Sequence, residues 1–354
     1  MEEILTENNV GGEEAPSKIP GFRSVCFRLG IMLIIIFVSR GAENIILSLA
    51  REWFSGLDTD LAYILETVMS FLFLYIIPIT CSIFLLKPKG MCSNVYCKPQ
   101  YFSNAMGMFP ALYGIALMTN LLTMLVSQLF QNTDLYKSFN TVNELKPDSM
   151  LNACVLLFQL VVTAPIFEEF WFRGIVLEAL RPYGNGFAIL VSGLLFGLTH
   201  ANFNQFFYAT VLGICFGYIA VSTKSIVTTT IMHAIFNGIS GLLLLFITFE
   251  EVGDYMLARA AGLEAEQTPL VVVYLVFCFV VIMLMIVGIF MAIAKLRKVK
   301  RYKVPKVWTE LSAPRRWGVF FSRVTVIIAL LLAADTFTFQ FLPRTLVKLF
   351  SGNM

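Results

Sequence analysis

Apolar residues in this chain come in long unbroken blocks, without the strict alternation of a half-buried strand. The blocks run roughly over Leu29–Ala50, Leu61–Leu86, Ala105–Phe130, Met150–Leu180, Phe187–Thr199, Asn204–Val221, Ile226–Phe249, Leu270–Ala294 and Val324–Leu342. About 20 helical residues, at a rise of about 1.5 Å each, cross the hydrocarbon core of a bilayer. Continuous blocks of this length argue for transmembrane helices and against a β-barrel, whose strands alternate. The expected fold is all-α, a polytopic transmembrane helical bundle of about eight or nine helices. Met150–Leu180 is too long for one crossing, so part of it should protrude. Phe187–Thr199 is short and ends in Thr199-His200-Ala201-Asn202. The first block carries Arg40 and Glu43, three residues apart and expected to pair. Asp335 interrupts the last block.

Composition sharpens this reading. Of 354 residues, 58% are hydrophobic and 14% charged, with a mean hydropathy of +0.77. Soluble domains carry about 25% charge, and they avoid apolar patches as large as this composition would expose. A secreted disulfide scaffold, a disordered regulator and a nucleic-acid-binding protein are excluded; the partners expected are membrane lipids and no nucleic acid. Most of the seven cysteines lie in or near apolar blocks and read as small core residues. Cys92 and Cys97 share a loop without a nearby His or further Cys, so no metal site is expected there. The first seventeen residues are acidic (Glu2, Glu3, Glu7, Glu13, Glu14) and lack the basic and short apolar regions of a cleavable signal. They are expected to form a solvated tail.

The net charge of +3 matters less than its distribution. Nine basic residues lie between Lys295 and Arg316. Lys18, Arg23 and Arg28 precede the first block, Lys87, Lys89 and Lys98 follow the second, and Arg181 and Lys224 follow the fourth and sixth. The alternate loops are poor in basic residues: Glu250, Glu251, Asp254, Glu264 and Glu266 accompany only Arg259. Basic loops stay in the cytoplasm, so an integral, multi-pass protein with its N-terminus inside is expected. The basic loop could also touch anionic lipid.

The fourth block contains Phe167-Glu168-Glu169-Phe170-Trp171-Phe172-Arg173. Two adjacent carboxylates inside an apolar helix are costly. Glu169 and Arg173 are four residues apart and share a face, so they can pair. Glu168 points about 100° away and has no partner on its own helix. Such a carboxylate can act as an acid or base in a buried site. The chain has two histidines, both in apolar helices: His200 closes the fifth block, and His233 lies in the seventh with Asn237 one turn on. Small residues (Gly193 and Gly197, Gly213 and Gly217, Ala234 and Gly238) would let these helices approach closely around a polar chamber lined by the fourth, fifth and seventh blocks. Asn204, four residues after His200, could orient it or simply cap or pack a helix.

Taken in order, EExxxR (Glu168-Glu169 to Arg173), FxxxH (Phe196 to His200) and HxxxN (His233 to Asn237) resemble the CPBP family, also called ABI, whose best-known type is the CaaX-processing protease 2, the Ras-converting endopeptidase. The resemblance covers roughly residues 150–245. It implies an intramembrane glutamate-dependent endopeptidase. Under it, Glu168 would activate the attacking water with help from His200. His233 and Asn237 would stabilise the oxyanion, and Glu169 and Arg173 would hold the site in shape. Substrates would be peptides or proteins, lipidated in some members: prenylated CaaX proteins, bacteriocins or signalling peptides. No cofactor is implied. One Glu with two His is also a zinc set, so a zinc-dependent version of the same protease stays open. The chain then divides into an N-terminal tail (1–28), N-terminal transmembrane helices (29–149), a CPBP-like catalytic core (150–249) and C-terminal helices with the basic loop (250–354).

Two other classes compete. A non-catalytic membrane immunity or scaffold protein could keep the fold, but would have no need of Glu168. A proton-coupled transporter could use Glu168 and the histidines as a relay, but the sequence shows no inverted repeat. If the protease reading holds, Glu168, His200, His233 and Asn237 should converge within about 8 Å, the reach of one shared water and carbonyl.

Overall fold

A computed structural model describes residues 18–87, 97–129, 149–201, 203–296 and 310–338. The acidic tail and most of the basic loop lie outside the described residues. Helices α1 (Ile19–Ser55), α2 (Thr59–Leu86), α3 (Phe102–Gln128), α4 (Met150–Tyr183), α6 (Phe203–Thr223), α7 (Val227–Thr248) and α9 (Pro269–Leu296) correspond to the long apolar blocks. The short α5 (Asn185–Thr199) follows α4. Helix α8 (Glu250–Ala260) occupies an acidic stretch that the apolar pattern reads as a loop. Helices α10 (Ala313–Phe321) and α11 (Val324–Thr338) close the described chain. Among the described residues there is no strand.

Seven of these helices are long and apolar enough to cross a membrane, or eight if α10 and α11, bent by 71°, count as one span. Among the described residues this agrees with an all-α bundle of about eight helices, with the short α5 in addition. Helix α5, short as its block implies, has 15 residues that rise only about 22 Å. It forms a hairpin with α6, turning at Ala201, a non-glycine residue in the left-handed region at φ 50°. His200 sits at the tip of that hairpin. By contrast, the 34 residues of α4 rise about 51 Å, well beyond a hydrocarbon core of about 30 Å.

Local side chains fix where the spans begin. Asp58 caps α2 by accepting from the backbone N–H groups of Asp60 and Leu61. Ser149 caps α4 by accepting from Asn152. Within both helices a proline forces a wider turn. In α2 the π-helical segment Leu72–Ile76 precedes Pro78, and in α4 the segment Gln159–Thr163 precedes Pro165. A π-turn bonds each N–H to the carbonyl five residues back. Ile77 bonds Leu72 and Ala164 bonds Gln159 in this way. The next donors in register would be residues 78 and 165, and proline has no N–H. The carbonyls of Phe73 and Leu160 are thereby orphaned in an apolar layer, where no water can replace the bond. Each is satisfied from a neighbouring helix: Ser39 Oγ of α1 donates to Phe73, and Asn237 Nδ2 of α7 donates to Leu160 at 2.9 Å.

Glycines set the helix spacing. A Cβ at Gly193 would come within 2.6 Å of the Ile214 backbone, and one at Gly213 within 2.9 Å of Gly193 Cα, so α5 and α6 pack backbone to backbone. Gly197 is similarly crowded by the Phe206 carbonyl at 2.7 Å. Gly217 and Gly238 meet only ordinary contacts, so those two are not required by closeness. Gly114 on α3 and Gly288 on α9 make a comparable close approach that the sequence reading did not single out.

The main apolar core joins α1, α4, α5, α10 and α11 around Phe22, Met32, Phe172, Leu180 and Phe196, and a second core joins α3, α6 and α7. Arg40 and Glu43 do not form the expected ion pair among the described contacts. Arg40 Nη1 donates to the Thr199 carbonyl at 3.0 Å, capping the end of α5, while Glu43 faces Ser70 of α2.

Candidate active site

Helix α4 presents its two adjacent carboxylates to different surroundings. Glu169 is fully buried, and its Oε1 accepts from Arg173 Nη1 at 2.8 Å. Arg173 is held in turn by the Gly213 carbonyl at 3.1 Å from Nη2, and its guanidinium lies 4.6 Å from the centre of the Phe196 ring. The same Glu169 Oε1 is 3.1 Å from His233 Nδ1. A carboxylate oxygen accepts, so His233 carries a proton on Nδ1 and turns Nε2 the other way. Nε2 lies 3.8 Å from Glu168 Oε2. Glu168 thus has no partner on its own helix, as its spacing implies, but it has one from α2: Tyr75 Oη donates to Oε1 at 2.8 Å.

His200 Nδ1 is 2.9 Å from the Phe196 carbonyl, four residues back. The carbonyl can only accept, so Nδ1 bears the proton, and in the neutral ring Nε2 holds the lone pair. Phe196 does more than place this carbonyl. Its ring meets His200 edge-on at 4.9 Å and His233 edge-on at 5.8 Å, so one phenyl ring sets the orientation of both imidazoles. That is a physical reason for a Phe at the head of FxxxH.

Glu168 and His200 line one cavity of about 190 Å³. Arg40, Tyr75, Trp171 and Gln205 share its wall. The chamber is therefore built by α1, α2, α4 and the α5–α6 hairpin, rather than by the fourth, fifth and seventh blocks alone. Helix α7 supports it from behind, through His233 against the two glutamates. Trp171 Nε1 donates to Ser82 Oγ at 2.9 Å, tying α4 to α2 beside the cavity.

The structure brings Glu168, Glu169, Arg173, His200 and His233 together from α4, the tip of α5 and α7. Asn237 lies one turn beyond His233 on α7, with one amide N–H given to the Leu160 carbonyl. Asn204 begins α6, but its side chain lies outside the described residues, as does Cys92 of the loop pair. Tyr75 is not singled out by the sequence, and Arg40 only as a partner for Glu43. The available signal was a tyrosine hydroxyl and a guanidinium inside apolar helices, each of which needs a partner. Among the described residues no group of three or more His, Cys, Asp or Glu is placed to hold a metal ion.

A polytopic all-α bundle with a buried Glu–His–Arg centre under a polar cavity is the architecture of an integral, multi-pass membrane protein with a site inside its helices. Comparison with known proteins adds the family. Residues 150–239 match the family described as "Type II CAAX prenyl endopeptidase Rce1-like". "Putative membrane peptidase YdiL" of Bacillus subtilis (strain 168) is 30% identical over 104 residues, which is 29% of this chain and 41% of that protein. The chain thus aligns with less than half the length of this relative. No solved structure matches it. Over this core the chain is similar to the CPBP, Rce1-like type.

Proposed function

We propose that this protein is an intramembrane endopeptidase in which Glu168 is the general base. The observation that carries the reading is the cavity shared by Glu168 and His200, with His233 Nε2 at 3.8 Å from the same carboxylate. A water between Glu168 and His200 Nε2 gives a proton to Glu168 while its oxygen attacks the scissile carbonyl carbon. The carbonyl electron pair moves onto oxygen. Donors aimed at that oxyanion stabilise it: His233 through a proton on Nε2, with Nδ1–H kept on Glu169, and Asn237 through its second amide N–H. Collapse restores the carbonyl and breaks the C–N bond, and Glu168 returns its proton to the leaving amine. Water is consumed, and the carboxylate ends as it began. Tyr75 holds Glu168 in place, and Glu169 with Arg173 holds His233.

The substrate class is a peptide or protein segment reaching the membrane, with a prenylated CaaX-type C-terminus first, because the matched family is described by that activity. The chemistry runs without a metal, using only side chains.

Glu168→Gln keeps the shape of the carboxylate and removes the base. Cleavage of a farnesylated CaaX peptide by the purified protein is expected to fall by about 10²–10⁴-fold, the usual cost of losing a general base. The melting temperature in detergent should stay close to that of the wild type. Activity above about a tenth of wild type would overturn the role of Glu168.

A further inference from the structure

We propose that the basic end of the bundle holds an anion site that takes the phosphate of a lipid headgroup. A second cavity, of about 310 Å³, opens between the ends of α4, α6 and α7 and the segment leading into α3. Lys98, Arg173, Glu178, Arg181, Lys224 and Ser225 are on its wall. Four of these are cationic and one is acidic. The acid is already engaged: Glu178 Oε1 accepts from Arg181 Nη1 at 2.7 Å. Among the described residues, Lys98 and Lys224 have no carboxylate within ion-pair distance. Lys98 and Lys224 thus border one cavity, both exposed and without an ion-pair partner among the described residues.

The backbone segments that carry the two lysines are tied to each other. Gln100 N–H donates to the Thr223 carbonyl at 2.9 Å, and Cys97 Sγ to the Lys224 carbonyl at 2.8 Å. Lys224 itself adopts φ 53°, a left-handed conformation that a non-glycine residue takes up only where its surroundings impose it. Deeper in the wall is Arg173, eight residues before Arg181 on α4. Arg173 is 1% exposed, and its Nε is a buried donor without an acceptor. An unpaired buried N–H is costly, and an anionic oxygen is the partner that a guanidinium accepts best.

The level of the site selects the ligand. Lys98 precedes α3, Arg181 is in the last turn of α4, and Lys224 lies between the end of α6 and the start of α7. All three stand at or just outside the ends of apolar spans, and basic pockets between spans at headgroup height suit anionic headgroups. Free inorganic phosphate offers the same chemistry from the aqueous side. The proposal does not rest on the protease reading, since the cavity is separate from the one that Glu168 lines.

The test uses the full chain in phosphatidylcholine nanodiscs doped with phosphatidylglycerol, with bound lipid counted by native mass spectrometry. Saturable retention of phosphatidylglycerol over phosphatidylcholine is expected. Lys98→Ala with Lys224→Ala should weaken it by about tenfold or more. Lys18→Ala with Lys87→Ala removes the same charge from exposed lysines next to the ends of α1 and α2 and should change it by less than about twofold. Equal loss in the two double variants, no loss in the first, or no preference between the two lipids would overturn the lipid site. Millimolar inorganic phosphate forms the second arm. Stabilisation by phosphate that depends on Lys98 and Lys224, with no lipid preference, would assign the site to the free anion and refute the headgroup.

Discussion

Glu169 is closed off from solvent and shares one oxygen between Arg173 and His233, whereas Glu168, one residue earlier, faces a cavity and is held by a tyrosine hydroxyl. The difference follows from the helical turn of about 100° per residue, which aims the two carboxylates at different neighbours. It also separates what their loss should do. Removing one partner of a buried ion pair strands the other charge and costs about 3–5 kcal/mol. Glu169→Ala should therefore lower the melting temperature sharply, along with any cleavage. The double variant Glu169→Ala with Arg173→Met should recover a large part of the stability, because no charge is left stranded. Thermal unfolding in detergent measures both. An unchanged melting temperature for Glu169→Ala would mean that the pair contributes nothing.

At the scale of the element, α2 and α4 share one device. A proline removes a backbone donor, a π-turn shifts the register, and a polar side chain from the next helix satisfies the orphaned carbonyl. Tyr75 lies within the first of these segments, and Glu168 stands one turn beyond the second, so the bulges help to aim the two residues that bond to each other. The account makes Asn237 testable in two capacities. Asn237→Ala leaves the Leu160 carbonyl unpaired and should cost about 1–3 kcal/mol. In a Pro165→Ala background the backbone N–H is restored to that turn, so the same substitution should cost at least about 1 kcal/mol less. Equal losses in the two backgrounds would show that Asn237 does not serve this carbonyl. Activity supplies a second readout. If Asn237 also donates to the oxyanion, cleavage stays low in the double variant even where stability returns.

Across the whole molecule, the site is assembled from six helices, α1, α2, α4, α5, α6 and α7, and its contacts are those of protein groups alone. His233 spends Nδ1 on Glu169, His200 spends Nδ1 on the Phe196 carbonyl, and Glu169 spends an oxygen on Arg173. The metal-free mechanism proposed from these contacts predicts that strong chelation followed by dialysis leaves cleavage intact, with less than about 0.1 zinc per chain by elemental analysis. Stoichiometric zinc, with activity lost on chelation and restored by zinc, would replace that mechanism with the zinc-dependent one.

Several features were legible in the residues alone. Block length and hydropathy determined an all-α membrane bundle, because a backbone in hydrocarbon must satisfy its own hydrogen bonds. The turn of the helix determined that Glu169 and Arg173 share a face and that Glu168 does not join them. Spacing also marked His200, His233 and Asn237 as polar groups in apolar helices. Other features depended on which helices lie side by side, and no local pattern encodes that. The apolar block Phe187–Thr199 reads as a short helix, but that it forms half of a hairpin depends on α6 returning against it, which Gly193 and Gly213 allow. Arg40 reads as the partner of Glu43 and instead caps α5, since a carbonyl end 159 residues away lies nearer to its guanidinium than its own neighbour does. Tyr75 carries no motif at all. It reaches Glu168 across 93 residues because two proline-driven bulges turn their helices toward each other, and only the packed bundle brings that pair within hydrogen-bond range.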